Sequence, residues 1–363
     1  MAIESGSGTK VYTVAFHPDG VHFFGGTQDG IRRWRVADGQ EAGKQTGMDP
    51  NAISVSRDGK WIVCGNTEGT SVWDAELLGN TVEVEDTNYV HAVDVSPEST
   101  RFATAAGMQV RKMSIWSITT GERLVGPLEL DGEVKGIKFS PDSGRIAIAC
   151  EDSIQIFDSY NGDQLITTKN LLPPPDWSAI TPIVWPFDGR LFATSEGGKI
   201  KSFDTSTGSQ VSEWKIHSHS SEDVISISPS ANNRFIASFA GRSVSFWDTS
   251  THTQLGGVLE DVDTIRSIAL SPDGIHLATG GESKTVTIWD LRNVLPESYL
   301  PIIVSTTSLM LGRPMTLVYQ STYLLTLILP ECEWSSLAVV DSTLSHPSCY
   351  FQIQNVSTHF VVW

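Results

Sequence analysis

Among the 363 residues, one short stretch gathers side chains able to do chemistry: His217-Ser-His219-Ser-Ser-Glu222-Asp223. Two imidazoles and two carboxylates within seven residues are the groups that ligate zinc. Spacing of this kind is a weak indicator, and the same residues suit a solvated polar loop, which is the reading adopted. Cys64 and Cys150 each close an apolar stretch (WIVC and IAIAC), where a small thiol serves packing rather than reactivity. The patterns GxGxxG, GxxxxGK[ST], GxSxG and HExxH do not occur, so neither a phosphate-cradling loop nor an activated serine or zinc-protease helix is expected. Asn355-Val-Ser357 fits the glycosylation pattern, which matters only in a secreted chain. The expectation is a protein without catalytic residues, metal site or cofactor.

Charge narrows the partners. Asp and Glu number 42 against 25 Lys and Arg, a formal net charge of −17. Nucleic acid or an anionic membrane requires a clustered basic field, which this balance opposes, so the expected partners are other proteins. Four cysteines, at 64, 150, 332 and 349, are too sparse for a disulfide framework and favour a reducing compartment. MAIESGSGTK lacks the basic end and apolar run of a signal peptide, and the apolar run Tyr323–Pro330 is far too short to span a bilayer. An intracellular protein of the cytoplasm or nucleus is expected.

The positioning elements announce themselves through the aromatic residues. Trp34, Trp73, Trp116, Phe157, Phe203, Trp247 and Trp289 are separated by 39, 43, 41, 46, 44 and 42 residues, a period belonging to a repeat of four strands. Each ring closes an alternating run (RRWRV, SVWDA, SIWSI, QIFDS, KSFDT, SFWDT, TIWDL). Upstream lie a first strand such as Thr264–Leu270, a turn, and a second strand apolar on both faces. The turns read HPDG, SRDG, SPES, SPDS, WPFDG, SPSANN and SPDG, in which Pro fixes φ and Asp or Gly suits the corner. A single four-stranded sheet cannot bury both faces, and seven such sheets stacked radially close a ring. The predicted fold is all-β: a seven-bladed β-propeller of four-stranded antiparallel blades with a non-repeat C-terminal tail. Residues 1–10 form a short lead. Blades span about 11–48, 49–87, 88–131, 132–177, 178–221, 222–261 and 262–301, and the tail is 302–363.

With Trp73-Asp74, Trp247-Asp248 and Trp289-Asp290 intact, the repeats resemble those of the WD-repeat β-propeller family over about four fifths of the chain. The Gly-His dipeptide that precedes the family's first strand is missing from every repeat, and the Asp expected between second and third strands is represented at Asp29 and Asp152. Fewer buried hydrogen-bond networks are therefore expected, with the blades held mainly by packing around the seven rings. The resemblance implies multivalent protein binding on the loop face, at the start of each first strand. Transferred repeat by repeat, the contact positions are Lys10, Asp49, Tyr89, Glu133, Ala179, Ser221 and Asp263, with His91, Lys135 and Arg266 alongside. Acids dominate that ring, which suits a partner with a basic patch. The leading expectation is a non-catalytic scaffold, a monomeric propeller working within complexes. An alternative comes from Leu277–Arg292, which resembles the box joining substrate receptors to cullin-RING ubiquitin ligases, with Asp290 and Arg292 as its contact residues and Ser283 in place of the internal Asp. A propeller hydrolase is a third reading.

Two segments stand apart. Leu171–Trp177 (LLPPPDW) is either a packed spacer or a stiff docking loop. The last 62 residues hold four charged side chains, Arg313, Glu331, Glu333 and Asp341, against 63 in residues 1–301. A degenerate eighth blade, a closing strand with an irregular appendage, and misjoined sequence all remain open. Because the lead is short and SGSG-rich, Tyr299–Val304 is the expected fourth strand of the last blade.

Overall fold

A computed structural model describes residues 2–4, 8–84, 89–107, 110–169, 183–186, 189–195, 198–216, 226–230, 233–305 and 359–362. It divides into two compact units, residues 1–300 and 301–363. The first is a seven-bladed propeller of four-stranded antiparallel sheets. The innermost strands are Val11–Phe16, Ala52–Val55, Val90–Val95, Val134–Phe139, Ile183–Val184, Ser226–Pro229 and Ile265–Leu270. Each packs against its counterparts in the two neighbouring blades, and blade one meets blade seven to close the ring. Among the described residues the only helical turns are two short 3-10 segments, Leu291–Asn293 and Glu297–Tyr299.

Ring closure differs from the expectation. The fourth strand of blade seven is Ala2–Glu4, antiparallel to Thr285–Thr287, and not Tyr299–Val304. Asp290 redirects the chain by accepting the Arg292 N–H and starting a 3-10 turn. Tyr299 is then anchored over blade six, its hydroxyl donating to Asp248 Oδ2 at 2.6 Å. Pro296 and Pro301 bracket this turn and lack the N–H groups a ladder needs. Ile302–Ser305 pairs instead with His359–Val362, a two-stranded sheet in the second unit. Residues 306–358 of the tail, Asn355 among them, lie outside the described residues.

The rings occupy one position per blade, as the repeat requires. Trp34, Trp73, Trp116, Phe157, Phe203 and Trp247 are all buried, whereas Trp289 is half-buried beside the three-residue closing strand. Making room for such rings constrains the second strand: a Cβ on Gly25 would lie 2.8 Å from the Trp34 ring. The indole N–H groups of Trp116, Trp247 and Trp289 donate to second-strand hydroxyls of Thr104, Ser238 and Thr279 at 2.9, 3.0 and 3.2 Å. In blade seven Thr279 donates in turn to Asp261, so an acid ends the network where the family's histidine is missing. Of the two acids expected between second and third strands, Asp29 accepts from Thr27, Thr9 and Arg32, whereas Asp152 is exposed. Cys64 and Cys150 are buried free thiols, both pushed well above the ordinary thiol value by burial, Cys150 to about 12, which makes them inert.

One end of the propeller carries the turns between first and second and between third and fourth strands. In five blades a serine organises the first turn: Ser56, Ser96, Ser140, Ser230 and Ser271 each accept the N–H five residues on. The residue closing that turn is left-handed in all seven blades, at Gly20, Gly59, Ser99, Ser143, Gly189, Asn233 and Gly274, which is why Gly, Asn and Ser recur there. The Asp after the aromatic ring caps the other turn, with Asp74, Asp158, Asp204 and Asp248 each accepting two successive N–H groups. Arginines then clasp blade to blade. Buried Arg101 donates to Ser159 O at 2.8 Å and Ser143 O at 2.9 Å, Arg145 to Thr205 O, and Arg234 to Ser298 O.

Candidate protein-interaction face

The opposite end, where the chain enters each first strand, holds Lys10, Asp49, Tyr89, Glu133 and Asp263 of the expected contact residues. A β-bulge places several of them. In blades one, three, four and seven the register slips between the first and third residues of the first strand, leaving Tyr12, His91, Lys135 and Arg266 outside the regular ladder. A bulge frees one residue from pairing and re-aims its side chain, so four chemically different side chains occupy one structural position around the channel mouth.

Blades seven, one and two form the first cluster. Glu282 receives Lys10 Nζ at 2.7 Å and the Arg266 Nε–H. The Arg266 guanidinium lies 5.6 Å from the centroid of the Tyr12 ring, within cation–π range. Burial raises the Tyr12 phenol above its ordinary value, and the neighbouring Asp49 carboxylate adds to the rise. Burial also raises the Asp49 carboxyl.

Blades three and four form the second cluster. Tyr89 and His91 stack with ring centroids 6.1 Å apart, and a Cβ on Gly107 would lie 3.1 Å from the Cβ of His91. Burial, followed by the nearby Lys135 ammonium, lowers the His91 imidazole to about 4, so it is neutral at pH 7. Its Nε2 is buried without a hydrogen-bond partner in the protein. Lys135 is itself buried, with Nζ 3.5 Å from Glu133. Tyr89 is raised by burial and then by Asp49, which couples the two clusters electrostatically.

Lys10, Asp49 and Arg266 thus share one field, and Tyr89, His91, Glu133 and Lys135 the next. Asp263 belongs to neither: it is exposed and accepts the N–H of Thr264. Ala179 and Ser221, the polyproline segment and the His217–Asp223 stretch lie outside the described residues. Tyr12 and Glu282 were missed by sequence reasoning. Tyr12 was within reach, because it occupies the same second-residue position as His91, Lys135 and Arg266. Glu282 was not, since it arrives from the link between second and third strands. Among the described residues no group of three or more His, Cys, Asp or Glu is arranged to hold a metal, and no helix is long and apolar enough to cross a membrane.

Asp290 and Arg292 lie on the turn end and engage each other, with Arg292 Nε 2.9 Å from Asp290 Oδ1. The guanidinium holds the Asp290 carboxyl down at about 2.

Comparison with known proteins agrees with this architecture. The family described as "WD domain, G-beta repeat" matches residues 255–290, the stretch from the fourth strand of blade six to the Trp-Asp of blade seven. The chain is 24% identical over 262 residues to the WD repeat-containing protein WDS homolog of Arabidopsis thaliana, covering 67% of this chain and 47% of that one. The chain is a seven-bladed β-propeller whose last repeat matches the WD repeat. Telomerase protein component 1 of Rattus norvegicus is 24% identical over 303 residues, covering 77% of this chain and 11% of the relative. Eukaryotic translation initiation factor 3 subunit I of Emericella nidulans is 26% identical over 204 residues, covering 53% and 59%. The chain therefore spans about half the length of the Arabidopsis relative and about a tenth of the rat one.

Proposed function

We propose that the protein is a non-catalytic interaction scaffold that binds a basic peptide or protein patch on the loop face of its propeller. The charge bookkeeping of that face supports the reading. Lys10 and Arg266 are both committed to Glu282, and Lys135 lies against Glu133. Exposed Asp49 and Asp263 have no cation partner among the described residues. The face offers a partner the uncompensated Asp49 carboxylate near the Tyr12 and Tyr89 rings, with Asp263 apart from them, and complementarity of this kind steers encounter and selects partners. Two relatives carry names that make them a component and a subunit of something larger, which fits a protein that works by association.

The test is affinity capture with the full chain, comparing wild type with Asp49→Lys plus Asp263→Lys, followed by mass spectrometry and direct titration of each captured partner. Both acids are exposed, so the variant is expected to fold and to lose its basic partners. Retention of every partner at unchanged affinity removes the loop face from consideration. The ubiquitin-ligase reading has weaker support, because Asp290 and Arg292 already satisfy each other and cap a local turn. Loss of a co-purified ligase adaptor on Arg292→Ala would revive it.

A further inference from the structure

Each blade ends in an outer strand with one edge of backbone N–H and C=O groups that its own sheet does not pair. Six of these seven edges are guarded. Glu41–Thr46 (EAGKQT) and Asn80–Val84 (NTVEV) carry charges at Glu41, Lys44 and Glu83, and Arg123–Glu129 (RLVGPLE) is interrupted by Gly126-Pro127. Gln210–Lys215 (QVSEWK) carries Glu213 between Lys199 and Lys201. Gln254–Glu260 (QLGGVLE) is covered at Gly256, where a Cβ would strike the Val294 carbonyl, and Ala2–Glu4 is only three residues long. Charge, proline, shortness and a covering segment each discourage a strand edge from pairing further.

The outer strand of blade four has none of these guards. Gln164–Lys169 (QLITTK) contains no acid, Gly or Pro, and its one charged residue closes it. Register slips between Ile156 and Phe157, which leaves Leu165 outside the ladder and 49% exposed. From Ile166 to Lys169 the strand pairs residue for residue with Ser153–Ile156, so its free edge is regular and rich in the β-branched types that favour a further strand. Blade five covers one side, where a Cβ on Gly208 would lie 2.5 Å from Ile166, but Gln164, Leu165 and Thr167 are exposed. Acids stand at both ends of the strand. Asp163 precedes it, and Glu151 and Asp152 adjoin Ser153, the ladder partner of Lys169. All three are exposed, and none has a cation partner among the described residues.

We infer that this edge is a second docking site, which takes an extended segment of a protein partner as a fifth strand of blade four: an uncharged, β-branched middle with a cation at each end. The edge selects an extended chain because its donors and acceptors repeat along the strand. Charge selects the ends, since Asp163 lies at one and Glu151 with Asp152 at the other. A second copy of the chain is disfavoured by the mutual repulsion of two bodies of formal charge −17. The site lies on the outer wall, apart from the loop face, so one propeller can hold a partner at each.

Fluorescence anisotropy on the full chain tests this with fluorescein-labelled Arg-Thr-Val-Thr-Val-Arg and two counterparts, one with Glu at both ends and one with Pro at the fourth position. The basic-ended probe should bind saturably, and each counterpart at least about tenfold more weakly. Leu165→Lys plus Thr167→Lys, at two exposed positions, should also weaken it at least about tenfold by placing charge on the edge, while Asp49→Lys plus Asp263→Lys leaves it unchanged. No saturable binding, equal binding of either counterpart, or a loss in the loop-face variant in place of the edge variant overturns the proposal. A dimer of the chain in sedimentation that the edge variant abolishes would assign the edge to a second copy, and overturns it as well.

Discussion

The two ends of the propeller are built by different rules. On the turn end the same devices recur blade after blade: a serine that accepts the N–H five residues on, an aspartate that caps the next turn, and an arginine that reaches a neighbour's carbonyl. These side chains are directed at backbone, which every blade presents in the same place, so repetition of sequence gives repetition of contact. On the loop end the bulge repeats but the residue on it does not: Tyr12, His91, Lys135 and Arg266 share a position and little else. Position is inherited from the repeat there, while chemistry varies from blade to blade, as binding to a particular partner requires.

The sharpest way to break this contrast is to remove a clasp. Arg101 is buried, donates to two carbonyls of blade four and to Glu98, and lies 4.1 Å from the centroid of the Tyr160 ring. Arg101→Met keeps much of the stem but leaves these acceptors without their donor, and should destabilise the propeller by about 4 kcal/mol in urea unfolding. Arg101→Lys should recover only part of that, since one ammonium cannot reproduce the guanidinium fork. A loss under about 1 kcal/mol would mean that the blades are held by their rings alone.

Acid titration separates His91 from the turn-end carboxylates without mutation. The His91 imidazole stands at about 4 in the fold against 6.5 in an unfolded chain. Below pH 6.5 the unfolded chain takes up a proton that the fold excludes. Stability fully present above 6.5 therefore falls as pH drops towards about 4, by about 3 kcal/mol in all, and His91→Gln should flatten that limb. The turn-end acids act lower. Asp204, held by the Ser206 hydroxyl and backbone N–H groups, and Asp290, held by Arg292, both stand at about 2 against 3.8 unfolded. Their stabilisation is present above about 3.8 and is lost as pH falls through about 2. Thermal melts from pH 7 to 2 should show two declines, and Asp204→Asn should soften only the lower one. Erosion in a single step would contradict the separation.

Legibility in the sequence follows the same division. The seven rings, the turns and the strand order were readable, because local patterning and burial specify them together. Ring closure was misread. Ala2–Glu4 looked too short beside its SGSG neighbour, yet three residues suffice where the edge of Thr285–Thr287 is already built by blade seven. The face residues were readable one blade at a time, but their grouping was not. Glu282 joins Lys10 across more than 270 residues, and no periodicity reports which blade is first and which is last. Asp94 was silent for the same reason: an Asp in VHAVDV reads as an outward-facing strand residue until the neighbouring blade's Phe139 N–H and Lys138 are placed against it.

The smallest expected effect lies in the Lys10–Glu282 pair. Lys10 is partly exposed, and Glu282 also receives Arg266. Removing Lys10 therefore leaves Glu282 compensated, unlike the carbonyls abandoned by Arg101→Met. Exposed pairs contribute little because water screens them and ordering a long side chain costs entropy. Lys10→Ala should change stability by no more than about 0.5 kcal/mol, and the change should vanish in high salt. The same substitution alters what a partner meets, since it removes a positive charge from the field shared with Asp49 and should speed association of a basic ligand. Lys10→Ala is thus expected to be neutral in urea unfolding and visible in the rate of binding, the reverse of Arg101→Met. A destabilisation of Lys10→Ala comparable to that of Arg101→Met would show that the loop face is structural after all.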